Sequence, residues 1–296
     1  RQLVASAAAR ACDVADGPAG IGYGGARGGG KSHWLLAQMG AGGLSIVRTP
    51  NEAAFVQNLV HYLAKAYRTP DYGIWERGHK RNEGHAELNA SSLGMAKAAL
   101  EAIRGFDPVP GHVPPVQVVE DDIAHARDAL EALLPRESAS KETDAALLSV
   151  VGFPAFAVDD AALAARTRAL VLSKLQGRYG CKRFLRDGHQ TVLEDHARLH
   201  YEPGELSRFE GIESEWPLFF TYLLIDAALK GPQRPVDDAG PGDADEAADW
   251  RERLDNLAVE RDGERLLPEL YVVPAEGVDD ERAHPRSQQR VPNANV

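Results

Sequence analysis

Cysteine is scarce in this 296-residue sequence: Cys12 and Cys181 are the only two, and they stand far apart. They make neither a disulfide framework nor a metal-ligand spacing, so a reducing, cytoplasmic setting is expected. Long apolar runs are missing too. No stretch reaches 18 apolar residues and no basic-then-apolar leader opens the chain, which argues against a membrane span and a signal peptide. Positive charge is in deficit, with 33 Lys and Arg against 44 Asp and Glu and a formal net charge of −11. A nucleic-acid backbone or an anionic membrane recruits clustered Lys and Arg, so neither is expected as a partner. His79, His85, His189, His196 and His200 lack ligand spacing, and neither a metal nor another cofactor is expected.

Strand signals are few, and helical periodicity dominates from residue 51 onward. Asn51 is the expected cap of a helix whose Phe55, Leu59, Tyr62 and Leu63 share one face. A second helix is expected from Asn89–Ser92 to a stop at Gly105, and a third from Asp121 to Leu134, ahead of Pro135. Asp159–Gln176 reads as a long amphipathic helix. Glu215–Lys230 is apolar on nearly every side, as befits an inner layer flanked by other helices, and a last helix is expected over Ala244–Ala258. Long polar loops over 71–88, 177–213 and 262–296 separate these helices, and loops of that length are often functional. Helices alternating with long loops fit an all-α toroid of helical hairpins whose active face is built by the loops. With Arg1 at the start and a polar stretch at the end, a piece of a longer protein is the simplest account of the chain.

Gly25-Ala26-Arg27-Gly28-Gly29-Gly30-Lys31-Ser32 matches the phosphate-loop pattern G-x-x-x-x-G-K-[ST] in full. In that pattern the backbone amides after Gly25 and Gly30 cradle phosphates, Lys31 reaches a terminal phosphate and Ser32 holds magnesium. The run from Ile21 to Met39 resembles the ATPase motor of phage terminase large subunits. An ATPase also needs a strand ending in an acidic residue within a parallel sheet. Val116–Asp121 is the best candidate strand, and no strand–helix alternation surrounds it. Residues 1–42 are therefore expected to be an orphaned or foreign segment that hydrolyses nothing, ahead of a domain over 43–296.

Tyr72-Gly73-Ile74-Trp75-Glu76-Arg77-Gly78 follows a helix and opens a polar loop. Glu76 lies between Trp75, whose desolvation raises a carboxyl pKa, and Arg77, which lowers it. It either serves as a tuned acid or pairs with Arg77 or Lys80 at the surface. The wider sequence bears on the choice. Phe55-Val56-Gln57-Asn58-Leu59-Val60, Trp75-Glu76-Arg77-Gly78 and Glu87-Leu88-Asn89-Ala90-Ser91-Ser92 form a collinear series with Lys174–Gly188. Glu213-Ser214-Glu215-Trp216-Pro217 and Leu267-Pro268-Glu269-Leu270-Tyr271 complete it. From about Gly43 to Val291 the chain resembles the α and β regulatory subunits of phosphorylase kinase. It is similar, more distantly, to the glucoamylases of glycoside hydrolase family 15.

The resemblance implies an (α/α)6 toroid, here incomplete and with long active-face loops. It implies Glu76 as general acid and Glu269 as general base of an inverting hydrolysis of α-1,4-glucosidic bonds, with water between the two carboxyls. Trp75 offers an apolar face to a glucose ring. Arg77, Arg183, Arg186 and Asp187 are candidates for sugar hydroxyls, and the last three read equally well as a solvated charged loop. The expected ligand is an α-glucan or maltooligosaccharide. The other implied role is a glucan-sensing regulatory module that works with a protein partner.

Overall fold

The protein is described by a computed structural model covering residues 47–75, 86–198, 201–230, 246–287 and 289–293. The phosphate-loop residues Gly25, Gly30, Lys31 and Ser32, together with Glu76 and Arg77, lie outside these described residues.

Helix α1 spans Pro50–Ala66, and its start is written in Thr49-Pro50-Asn51-Glu52. The Thr49 hydroxyl accepts the Glu52 amide, and the Glu52 carboxylate accepts the Thr49 and Arg48 amides at 3.0 and 2.8 Å. Pro50 supplies a pre-set φ where no N–H is needed. Thr49 thus caps the helix in place of the expected Asn51. The stripe Phe55, Leu59 and Tyr62 is also a correction: all three are exposed, and α1 buries Ala53 and Val60 instead.

Helix α2 spans Ala90–Ile103, α3 Glu120–Leu133, α4 Leu147–Val151 and α5 Ala161–Leu175. They are followed by α6, Leu218–Lys230, and α7, Glu246–Leu257. Asp160 caps α5 by accepting the Ala162 and Leu163 amides at 2.8 and 3.2 Å. Three carboxylates open α3, where the helix dipole favours them. Val116–Val119 does not form a strand. Val116 exchanges backbone bonds with Gly105 and Phe106, and Glu120 and Asp121 begin α3. Nor is α6 enclosed on every side: it starts at Leu218, and Leu218 and Leu229 are exposed.

Consecutive helices pack as hairpins, α2 with α3, α4 with α5 and α6 with α7, while α2 meets α4 and α4 meets α6. The even-numbered helices therefore form an inner layer and α3, α5 and α7 an outer one, an α/α toroid-like arrangement among the described residues. One large core joins them, built from Leu93, Leu130, Leu147, Val171, Leu175, Phe219, Phe220, Trp250 and their neighbours. At the crossing of α2 and α4 only glycine fits at position 94, where a Cβ would lie 2.5 Å from a Val150 methyl.

Strand content is confined to short pairs. β1 (Val259–Arg261) and β2 (Glu264–Leu266) form a hairpin across Asp262-Gly263, both with positive φ, as a tight two-residue turn demands. β3 (Tyr271–Val272) pairs with β4 (Val291–Pro292). Single bridges extend this lattice from Gln176 to Cys181, from Cys181 to Trp216 and from Glu215 to Tyr271. A short helix α8, Val278–Ala283, separates β3 from β4.

Candidate functional site

The turn that leads to Glu76 is held by a knot of polar side chains. Asp71 and Glu87 exchange backbone hydrogen bonds of 2.9 Å and close the neck of the loop between them. The Asn89 amide group donates to the Asp71 carboxylate at 2.6 Å and to the Asp71 and Glu87 carbonyls. This diverts Asn89 from capping α2, whose first amides turn to Glu137. Buried Lys141 donates to Asn89 Oδ1 at 2.9 Å and to the Tyr72 carbonyl at 3.1 Å. Gly73 sits at φ +78°, donates its N–H to Asp71 at 2.8 Å, and a Cβ there would press on the Glu137 and Asn89 side chains at 3.0 and 3.2 Å. Burial alone would raise the Glu87 carboxyl. Hydroxyl bonds from Ser140 and Ser138, the Ser140 amide and the Lys141 charge instead hold it below the ordinary carboxylate range.

Half-buried Trp75 ends this turn. Its indole N–H donates to the Asp144 carboxylate at 2.9 Å, and its ring lies 6.0 Å from Phe219 and 6.5 Å from Trp216. The Arg183 guanidinium stands over both indoles, at 5.0 and 5.1 Å, and is gripped by Asp187 through bonds of 2.6 and 2.8 Å. Arg183 and Asp187 are buried rather than part of a solvated loop, and each takes up the other's polar atoms. Arg186 behaves differently. Its N–H is anchored on Glu213 at 2.8 Å, while its side chain is 55% exposed and 3.4 Å from Glu210. Trp75→Phe keeps the ring and removes the N–H. Thermal unfolding is expected to show a loss of about 1 kcal/mol, the net worth of one hydrogen bond to a carboxylate that keeps the Ala146 amide as a donor.

A second strip of backbone, joined to Trp75 through Trp216, carries Glu269 at its end. Trp216 packs against Trp75 and pairs with Cys181, while Glu215 exchanges backbone bonds of 3.0 and 2.8 Å with Tyr271. Glu269, two residues before Tyr271, is exposed and accepts the Asn293 side-chain amide at 2.9 Å. Glu215 is buried, accepts the Tyr179 amide at 2.7 Å and lies 3.2 Å from Arg290. Burial raises its pKa, against the opposing pull of Arg290, the Tyr179 amide and Lys182. Glycine at 177 makes space for that carboxylate, since a Cβ there would lie 2.0 Å from Glu215 Cδ. Glu213 is likewise buried and bonded to Lys182 at 2.6 Å. Arg290 also reaches the Glu213 carbonyl at 2.5 Å and Glu281 at 3.5 Å, so one guanidinium binds three segments together.

Asp144, Lys141 and Arg290 are the residues that sequence reasoning missed, because the Trp75 indole, the Asn89 side chain and the Glu213 carbonyl that they bond lie 52 to 77 positions away. Glu213 and Glu215 did carry a signal, as two carboxylates at the entry to an apolar helix. The Trp216 indole N–H is buried with no hydrogen-bond partner among the described residues. Among those residues no His, Cys, Asp and Glu group is arranged to hold a metal, and no helix is long and apolar enough to cross a membrane.

The phosphorylase b kinase regulatory subunit alpha, liver isoform, of Oryctolagus cuniculus is 50% identical over 262 residues, covering 87% of this chain and 20% of the relative. The probable phosphorylase b kinase regulatory subunit alpha of Caenorhabditis elegans is 51% identical over 262 residues with the same coverage. The chain thus spans a fifth of the length of the curated relatives it matches. A solved point variant of a glycosidase aligns with a TM-score of 0.51 at 19% identity, over 83% of this chain and 56% of that one, a likeness of fold. The family pattern of Glycosyl hydrolases family 15 matches residues 31–295, beginning inside the Gly25–Ser32 run. By that match, which takes in the Trp75 turn, the Glu215 strip and Glu269, the chain belongs to glycosyl hydrolases family 15.

Proposed function

We propose that this chain is the sugar-recognising domain of a phosphorylase kinase α-type regulatory subunit, which binds α-glucan and serves a protein assembly without turning the glucan over. The observation that carries this reading is the 50% identity to regulatory subunits across 87% of the chain, against 19% to a solved glycosidase. The chemistry of the described residues supports it. An inverting hydrolase keeps one carboxylate ionised against a water molecule. Around Trp75 and Trp216, Asp144, Asp187, Glu213 and Glu215 are each engaged by donors of the protein itself, and Glu269 is exposed and tied to Asn293. What the region offers a sugar is the half-exposed ring of Trp75, backed by the buried ring of Trp216. In the parent protein the hairpins complete a six-hairpin ring; residues 31–42 go with it by the family match, and the segment ahead of them stands apart and hydrolyses no nucleotide.

Trp75-Glu76 and Glu269 favour a second reading, in which the parent protein is a glucoamylase-type enzyme with Glu76 as acid, Glu269 as base and Arg77 beside the substrate. Calorimetry with maltoheptaose and an assay for released glucose separate the two. The expected result is binding without turnover, with Trp75→Ala weakening binding at least about tenfold through the lost ring contact. Glucose release abolished by both Glu76→Gln and Glu269→Gln would overturn the proposal in favour of hydrolysis.

A further inference from the structure

Helix α1 stands outside the pairing that organises the other helices. Each of α3, α5 and α7 is the outer member of a hairpin whose inner member directly precedes it. By the same alternation α1 is an outer helix, and the segment to pair with it precedes Val47. Two sides of α1 are occupied. Val60, with Val56 and Leu63 beside it, packs on Leu100, Val116 and Ile123. Gln57 exchanges hydrogen bonds of 2.9 and 2.8 Å with the backbone of Gln117. A third side carries Phe55, Leu59 and Tyr62, which are 63%, 44% and 67% exposed. Their spacing, i, i+4 and i+7, makes them one continuous apolar stripe along the helix.

Single exposed apolar residues need no explanation, but two aromatic rings and a leucine aligned on one face mark a docking surface. The stripe is small. A stable interface with a second copy buries roughly 800 Å² per partner, and a large aromatic side chain supplies only about 150–250 Å². Three side chains suit one short amphipathic segment instead, and the sequence just upstream holds one. In Ser32-His33-Trp34-Leu35-Leu36-Ala37-Gln38-Met39, Leu35, Leu36 and Met39 fall at i, i+1 and i+4, the spacing of one helix face. No Asp, Glu, Lys or Arg occurs from Ser32 to Val47, although charged residues make up 26% of the chain. Gly40-Ala41-Gly42-Gly43 then supplies the permissive backbone that a reversal of direction requires. The reach is sufficient as well. The ten residues between Met39 and Pro50 extend to about 33 Å, against roughly 18 Å along α1 from Pro50 to Tyr62. The family match, which begins at residue 31, takes in this whole segment.

We propose that Ser32–Met39 docks on the Phe55, Leu59 and Tyr62 face of α1, with Leu35, Leu36 and Met39 against the three exposed side chains. Lys31 and Ser32 are then the entry to a docked segment rather than half of a nucleotide site. The inference rests on the reading that residues 31–42 go with the hairpins, and it is independent of glucan binding. Thiol labelling of the full 296-residue chain, read peptide by peptide by mass spectrometry, tests it. Leu59→Cys is expected to react at least about tenfold more slowly than Ala54→Cys, on another exposed side of α1, because a covered site reacts only through local opening. Adding Leu36→Asp should bring Leu59→Cys to the Ala54→Cys rate. Buried Cys181 reports on folding in the same sample and should stay unreactive. If Cys181 labelling shows that Leu36→Asp unfolds the protein, the reciprocal pair decides. Met39→Cys should then react about tenfold faster with Phe55→Ser than without it, a change at a side chain that is exposed in the described fold. Leu59→Cys that reacts as fast as Ala54→Cys overturns the proposal, and so does Met39→Cys indifferent to Phe55→Ser. Slow Leu59→Cys labelling that Leu36→Asp leaves unchanged, and that quickens on dilution, would make the occupant a second copy. Maltoheptaose binding by the wild type in any of these cases leaves the glucan reading standing while the docking proposal fails.

Discussion

Arg290→Met is expected to remove about 3–5 kcal/mol of folding free energy, because it leaves buried carboxylates without their cation. Arg290 and Glu215 are each almost fully buried, Glu281 is buried beside them, and the Glu213 carbonyl loses its donor as well. The loss should also depend on pH in a particular direction. Burial raises the Glu215 carboxyl above its ordinary value of 4.5, while Arg290, the Tyr179 amide and Lys182 oppose the rise and Glu281 adds to it. A carboxyl with a raised folded-state pKa favours the native state below its unfolded pKa, and that advantage is lost as pH rises through the folded value. Without Arg290 the rise grows. The gap between variant and wild type should therefore be smallest below pH 4.5 and widen toward neutrality. Urea titrations at an acidic and a neutral pH measure it. An equal loss at both would mean that Arg290 acts by packing alone. Arg290→Lys should fall between, since an ammonium restores the charge and cannot reproduce the fork that reaches three acceptors.

Lys141→Met is expected to cost about 3 kcal/mol or more, with a more local signature. Lys141 is 1% exposed, and its charge acts on the Glu87 carboxylate. Its two bonds tie the Tyr72 carbonyl to Asn89, and Asn89 in turn fixes Asp71, on which the Gly73 N–H rests. Methionine fills similar space but donates nothing, so the turn from Asp71 to Trp75 loses its clamp before the helical core does. Hydrogen exchange should show the Gly73 amide opening faster than the amides of α5, and maltoheptaose binding should weaken in step. Wild-type protection at Gly73 in the variant would show that Asn89 and Asp71 hold the turn unaided.

These two residues also mark the limit of what the sequence discloses. The helices α2, α3, α5 and α7 are legible to within about two residues because periodicity and end signals are local. The buried side of α1 is not. Phe55, Leu59 and Tyr62 make the more apolar stripe, yet tertiary packing covers Ala53 and Val60. Helix α6 starts later than its apolar pattern implies, since Glu215 and Trp216 are committed to backbone bridges with Tyr271 and Cys181. The Trp75 turn and the Glu213–Trp216 strip were visible as contiguous motifs shared with a known family. Lys141, Asp144 and Arg290 carry no such mark, because a buried charge makes sense only beside partners that folding brings from far along the chain.

The serial order of the hairpins has a kinetic consequence. Each pair, α2 with α3, α4 with α5 and α6 with α7, is made from neighbouring segments, and the pairs meet through the inner helices. Such an array resembles a stack of repeats, in which each unit forms locally and cooperativity is set by the seams between units. At the first seam glycine 94 packs against Val150, with no room between them for a Cβ. Bulk added at that point would leave each hairpin able to form and would uncouple one from the next, so a single sharp unfolding transition would separate into two.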